Sequence, residues 1–165
     1  MSSPRVFPDT GVLLAMVVFP SDRTGALTMA GEAHQLYEAE AFELVIGQAV
    51  IDELDEVLDS RFPRYRLRAV SLLMPFAARL VRRPTPEEIG AVFPYCRDPA
   101  DAPIFASAII ARPDIVLSND FQAFHTPQAK FLWQEHGITV ESLYGLLCVF
   151  GRRKRREEAK PPMGI

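Results

Sequence analysis

Short apolar runs alternate with longer stretches of helical spacing along nearly the whole of this chain, and that alternation limits its fold more than any other feature. The first run, Val6 to Phe19, is interrupted by the turn-forming residues Pro8-Asp9-Thr10-Gly11, which leave Asp9 at the end of a short strand. Helical spacing follows from Gly25 to Ala41, then Phe42 to Ile46 reads as a strand, and Val50, Leu54, Val57 and Leu58 mark one helical stripe after Gly47. A further helical stretch covers Leu67 to Ala78, with a short strand expected at Arg79 to Arg82 before the loop at Pro84-Thr85-Pro86. The second half repeats the pattern: an apolar helix Ile104 to Ala111, a strand Ile115 to Leu117, a helix opened by Thr126-Pro127 and closed by Gly137, a strand Ile138 to Val140 and an apolar helix Leu143 to Phe150. Strands separated by helices build a parallel sheet covered on both faces, so the expectation is α/β, a three-layer α/β/α fold with a central, mostly parallel sheet. Leu44 to Ile46 and Ile115 to Leu117 should be neighbouring strands or nearly so. Ligand sites in such sheets lie beyond the carboxyl ends of the strands.

A chain of 165 residues is the size of one domain. The domain is expected over residues 1–150, with 151–165 as a basic, weakly anchored tail, because composition turns there from apolar to basic and then Pro-rich. The formal charge of −3 conceals that division. Arg152 to Lys160 carries six bases and two acids, which leaves the body at −7. Val12 to Phe19 stops at Pro20 and Leu143 to Phe150 stops at Gly151, so neither run spans a membrane. With no basic and apolar export signal at the start, the expected location is cytoplasmic. Cys96 and Cys148 lie too far apart in sequence for a Cys-x-x-Cys pair and are expected as buried thiols. His34, His125 and His136 have no His-x-x-x-His spacing, so a metal here needs oxygen ligands.

Carboxylates supply those oxygens at four places: Asp9 after the first strand, Glu53 on the helix after the second, Asp98 with Asp101 before the long apolar helix, and Asp120 after the next strand. Taken singly, each has an ordinary role. Asp9 and Asp120 suit turns, Glu53 lies in a run of solvated helix acids, and Asp98 and Asp101 precede prolines as helix caps do. Gathered at one sheet edge, they would repel one another unless a cation neutralised them. An all-oxygen set suits Mg²⁺ or Mn²⁺, ions that stabilise charge on a phosphate and activate water.

Four segments carry a resemblance in order. Asp9-Thr10-Gly11-Val12-Leu13-Leu14, Val50-Ile51-Asp52-Glu53-Leu54-Asp55-Glu56-Val57-Leu58, Arg97-Asp98-Pro99-Ala100-Asp101-Ala102-Pro103-Ile104 and Val116-Leu117-Ser118-Asn119-Asp120-Phe121 resemble the acidic motifs of PIN-domain nucleases. The likeness runs roughly from Arg5 to Phe150 and is strongest to the VapC-like toxins of toxin–antitoxin pairs. It implies a metal-dependent ribonuclease in which Asp9, Glu53, Asp101 and Asp120 are catalytic and hold one or two Mg²⁺ or Mn²⁺ ions. Asp98 would be an accessory ligand or a cap, with Ser118 and Asn119 as accessory residues. The partners so implied are an RNA substrate, an antitoxin protein and a second copy of the chain. Two positions depart from the family pattern: Gly11 stands where Asn is usual, and Pro8 stands in what should be an inner strand.

Arg61, Arg64, Arg66, Arg68, Arg152 and Arg153 are candidate phosphate contacts, since an acidic body alone repels nucleic acid. Aspartyl-phosphate phosphatases also begin from an Asp after a strand but need a second Asp two residues on, where this chain has Gly11. The remaining alternative is a catalytically inactive PIN-like module that binds RNA or protein. The apolar Leu143 to Phe150 and the helix at Gly25 to Ala41 are candidate partner surfaces, or else ordinary core.

Overall fold

The structure is a computed structural model and describes residues 2–155. Four strands form its sheet: β1 (Arg5–Pro8), β2 (Glu43–Leu44), β3 (Ile115–Leu117) and β4 (Thr139–Glu141). They lie in the order β2-β1-β3-β4, and all three pairings are parallel. The expected α/β/α architecture is therefore the observed one, with β1 between the two segments expected to be neighbours or nearly so. Helices α1 (Thr10–Val18), α2 (Met29–Glu38), α3 (Gln48–Arg61), α4 (Arg66–Leu73), α5 (Pro86–Val92), α6 (Ala102–Ala111), α7 (Phe121–Phe124), α8 (Pro127–Glu135) and α9 (Leu143–Val149) make the connections and outer layers.

The connections fix where a site can form. From β1 the chain moves outward to β2, and from β3 it moves outward the other way to β4, so the β1/β3 pair is the point at which the winding reverses. Loops leaving the carboxyl ends of β1 and β3 diverge there and open a crevice. Val6, Phe7, Val116 and Leu117 are fully buried in this central pair, with Phe105, Leu13 and Leu146 packed around them. Covering both faces of the strands is what makes their sequences continuously apolar rather than alternating.

Pro8 fits the inner strand because of the alternating direction of its hydrogen bonds. The Pro4 and Val6 carbonyls accept from β2, at Glu43 N (2.8 Å) and Val45 N (2.9 Å), whereas Arg5 O and Asp9 N bond on the β3 side. Pro8 shares the direction of Pro4 and Val6, so its missing N–H faces the side where β2 has already ended.

Several boundaries differ from the sequence reading. The helix expected over Gly25 to Ala41 begins only at Met29, because Gly25 takes a positive φ of 85° in a turn and the Thr28 hydroxyl caps the helix at Gly31 N. The stretch Leu67 to Ala78 is α-helical only to Leu73 and goes on as a 3-10 turn over Met74–Phe76, since Pro75 lacks the N–H needed to continue the α-helix. Arg79 to Arg82 is not a strand; Val81 makes a single parallel bridge to Gly47. Helix α5 had no apolar periodicity to announce it and is set by a capping box between Thr85 and Glu88. Cys96 and Cys148 are free and half-buried rather than fully buried.

Helices α2 and α9 pack against each other, so Ala30, Ala33, Leu36, Leu146 and Leu147 are core. Large apolar side chains are also left to solvent, among them Leu67, Val70 and Met74 on and after α4, Met29 at the start of α2 and Val149 at the end of α9. Past α9 the chain is tied down as far as residue 155: Arg152 N bonds Leu147 O, Tyr144 Oη donates to Lys154 O, and Arg153 and Arg155 pair with Glu32 and Glu141. The remainder of the tail expected over residues 151–165 lies outside the described residues. Among the described residues, no helix is long and apolar enough to cross a membrane.

Candidate metal centre

A pocket of about 320 Å³ opens at the β1/β3 switch point, and Asp9, Glu53, Asp101 and Asp120 all line it. Thr10, Gly11, Asn119, Ile104, Phe124 and Leu143 complete most of the wall. Each acid arrives by a different route. Asp9 follows β1 and caps α1, its Oδ1 accepting from Val12 N at 2.8 Å. Glu53 stands one turn into α3, Asp101 closes the 3-10 turn before α6, and Asp120 caps α7 with Oδ1 accepting from Ala123 N at 3.1 Å. Among the described residues, no Lys, Arg or His lines the pocket to oppose this negative charge.

Asp9 and Asp120 are held rigidly. Ser118, wholly buried, donates its hydroxyl hydrogen to Asp9 Oδ2 and accepts from Asp120 N at 3.0 Å, linking the loops after β1 and β3. Asn119 Oδ1 accepts from Leu143 N at 2.8 Å and fixes the start of α9 against the same loop. Thus Ser118 and Asn119 brace the wall through protein contacts.

The adjacent acids at the other two motifs separate cleanly. Asp98 caps the 3-10 turn, Oδ1 accepting from Ala100 N at 2.9 Å, and is not among the pocket-lining residues. Asp101 makes no capping bond and faces the pocket. Asp52 turns away to a two-pronged pair with Arg83, at 2.7 and 2.9 Å, which leaves Glu53 as the α3 acid at the site.

Electrostatics follow from this crowding. Burial pushes the Asp9 carboxyl up to about 6, against the pull of its bonds to Ser118 and Val12 N, and the charges of Asp120 and Glu53 add to the rise. Asp101 is raised by burial and then by Asp98, Asp120 and Glu53. Glu53, exposed as a residue but with its carboxyl at the pocket wall, is raised by loss of water there and by Glu56, and lowered by nearby Thr10. Three acids raised around one cavity are costly to ionise without a cation.

Among the described residues, no three acidic, His or Cys side chains are gathered into a ready-made metal cluster. The donor set nonetheless fits a hard divalent cation: the pocket offers carboxylate oxygens and an unpartnered buried hydroxyl, Thr10 Oγ1, and no sulfur or imidazole ligand. The arginines proposed from sequence lie elsewhere, none of them lining the pocket. Arg66 pairs with Asp59 at 2.8 Å and borders a separate apolar groove, Arg61 and Arg64 lie over the rings of Phe62 and Tyr65, Arg153 pairs with Glu32, and Arg68 and Arg152 are exposed. Sequence reading missed Thr10 and Leu143 as wall residues; for Thr10, a hydroxyl next to the strand-end acid was the available signal.

Four acids from separate elements thus line one pocket at the switch point of a parallel sheet. The PIN-domain family model matches residues 5–122, which include all four acids, and the chain belongs to that family. Strand β4 and helix α9 complete the same fold beyond the matched span. Searches of curated proteins and of solved structures gave no match.

Proposed function

We propose that this protein is a Mg²⁺- or Mn²⁺-dependent endoribonuclease that hydrolyses RNA phosphodiester bonds and is the toxin of a toxin–antitoxin pair. The observation carrying the reading is the convergence of Asp9, Glu53, Asp101 and Asp120, from four separate elements, on one pocket that no cationic side chain lines among the described residues. When bound, a divalent ion would supply charge neutralisation at the phosphate and activation of water. The chain's own part is to position and insulate. Asp9 and Asp120, fixed by Ser118, form the rigid half of the ligand set, and Asp101 and Glu53 form the half free to adjust. Ile104, Phe124 and Leu143 give the pocket an apolar rim that limits competing water and strengthens the electrostatic interactions inside.

Purified protein incubated with single-stranded RNA and DNA, in Mg²⁺, Mn²⁺ or chelator, tests this. The expected result is metal-dependent RNA cleavage that chelator stops; binding of RNA without cleavage in any metal would favour the inactive module. The toxin role predicts that expressing the active chain alone arrests growth while an Asp9→Asn variant does not. Light scattering on the purified chain reads whether it pairs with a second copy.

A further inference from the structure

Two groups lining the pocket lack partners, Thr10 on α1 and Glu53 on α3. The Thr10 side chain is 6% exposed, its Oγ1 is sealed from solvent, and that oxygen makes no hydrogen bond among the described residues. Buried hydroxyls are nearly always paired, because an unpaired one forfeits its bond to water without recompense. Thr10 and Glu53 line the same acid pocket, with no hydrogen bond from that hydroxyl to the carboxylate. Glu53 for its part has neither a hydrogen bond nor an ion pair among the described residues, whereas Asp9 and Asp120 are each held. It is also a long, rotatable side chain on an exposed helix face.

We propose that Thr10 is a positioning residue whose hydroxyl donates to the Glu53 carboxylate when the pocket closes on its divalent cation. This rests on the metal-centre reading above and adds a cause for its last adjustment: the acids stand apart in the described structure, and Thr10 is the fixed point to which the most mobile of them swings. Thr10 is held at the first position of α1 beside Asp9, so latching Glu53 to it sets the α3 acid relative to the β1 acid.

The test compares Thr10→Val, nearly the same shape without the hydroxyl, with Thr10→Ser, which keeps it. Melting is recorded without metal and across a Mn²⁺ series. In the metal-free protein, Thr10→Val is expected to melt no lower than the parent, because the lost hydroxyl had no partner. Its apparent affinity for Mn²⁺ should fall about tenfold, as expected for one hydrogen bond to a charged group, and Thr10→Ser should restore it. In a Glu53→Gln background, Thr10→Val should cause little further loss, since Thr10 acts through that carboxylate. If Thr10→Val fails to fold, Thr10→Ser against Thr10→Ala gives the same contrast, as that pair differs by the oxygen alone. Equal Mn²⁺ responses in parent and Thr10→Val overturn the latch while leaving the metal centre standing. A parent that Mn²⁺ does not stabilise overturns both.

Discussion

Asp98 and Asp101 stand three residues apart in one motif and have different work. Asp98 bonds Ala100 N and serves the local turn, so Asp98→Ala should cost about 1 kcal/mol of stability with cleavage retained. Asp101 makes no capping bond and faces the pocket, so Asp101→Asn should melt no lower than the metal-free parent and lose metal-induced stabilisation. Melting curves with and without Mg²⁺ check both. Asp9 makes a pH-dependent prediction. Its carboxyl rises from 3.8 to about 6 on folding, so between those values the folded chain holds more protons than the unfolded one. The stability Asp9 contributes is therefore complete below about pH 3.8 and is lost as pH rises through 6, a change of about 3 kcal/mol by neutrality. Asp9→Asn should gain stability relative to the metal-free parent as pH rises from 4 to 7; a constant difference across that range would contradict the buried charge. At this scale the sequence named the four acids through their motifs. The residues taken alone did not tell Asp98 from Asp101, because both precede a helical turn and only the backbone path decides which carboxyl has an N–H within reach; it was the resemblance that put Asp101 among the four and left Asp98 as an accessory ligand or cap.

At the scale of elements, strands and long apolar helices were legible because burial on both faces leaves a continuous apolar run, as in Ile115 to Leu117. Short elements set by side-chain caps were not. Helix α5 depends on the Thr85–Glu88 capping box, and the late start of α2 depends on Thr28 and the left-handed Gly25, all of them local bonds that periodicity does not register. Pro8 likewise broke the inner-strand pattern in sequence and is harmless in the sheet, since hydrogen-bond direction alternates along a strand. Gly11 is the other departure. It lies inside α1 with its nearest neighbour, Asp9 Oδ1, 3.6 Å from where a Cβ would sit, so a side chain fits. Gly11→Ala should raise stability by roughly 0.5–1 kcal/mol through reduced freedom of the unfolded chain. A lower melting temperature would show that α1 requires glycine there.

Considered as a whole molecule, the chain separates its anionic centre from its cations. Among the described residues no arginine lines the pocket, while Arg64 and Arg68 are exposed on the segment after α3. If they hold the RNA backbone, Arg64→Ala and Arg68→Ala should each weaken RNA binding and reduce the salt slope of log K by about 0.7, the value per phosphate contact on a single strand. Binding measured across a salt series decides this, an unchanged slope ruling those residues out as contacts. The architecture itself was readable from the alternation of strands and helices. The place of the site within it follows from the strand order, which no local pattern encodes: β1 and β3, more than a hundred residues apart in sequence, must be neighbours before Asp9 and Asp120 can face one pocket.

The most direct measurement of the central claim is RNA cleavage by the parent and by Asp101→Asn, run side by side in Mn²⁺ with melting curves on the same samples. The account predicts cleavage by the parent, cleavage reduced at least a hundredfold in the variant, on the scale of losing a group that stabilises transition-state charge, and a metal-free melting temperature in the variant no lower than the parent's. Equal cleavage by both proteins would contradict a nuclease centre built on these four carboxylates.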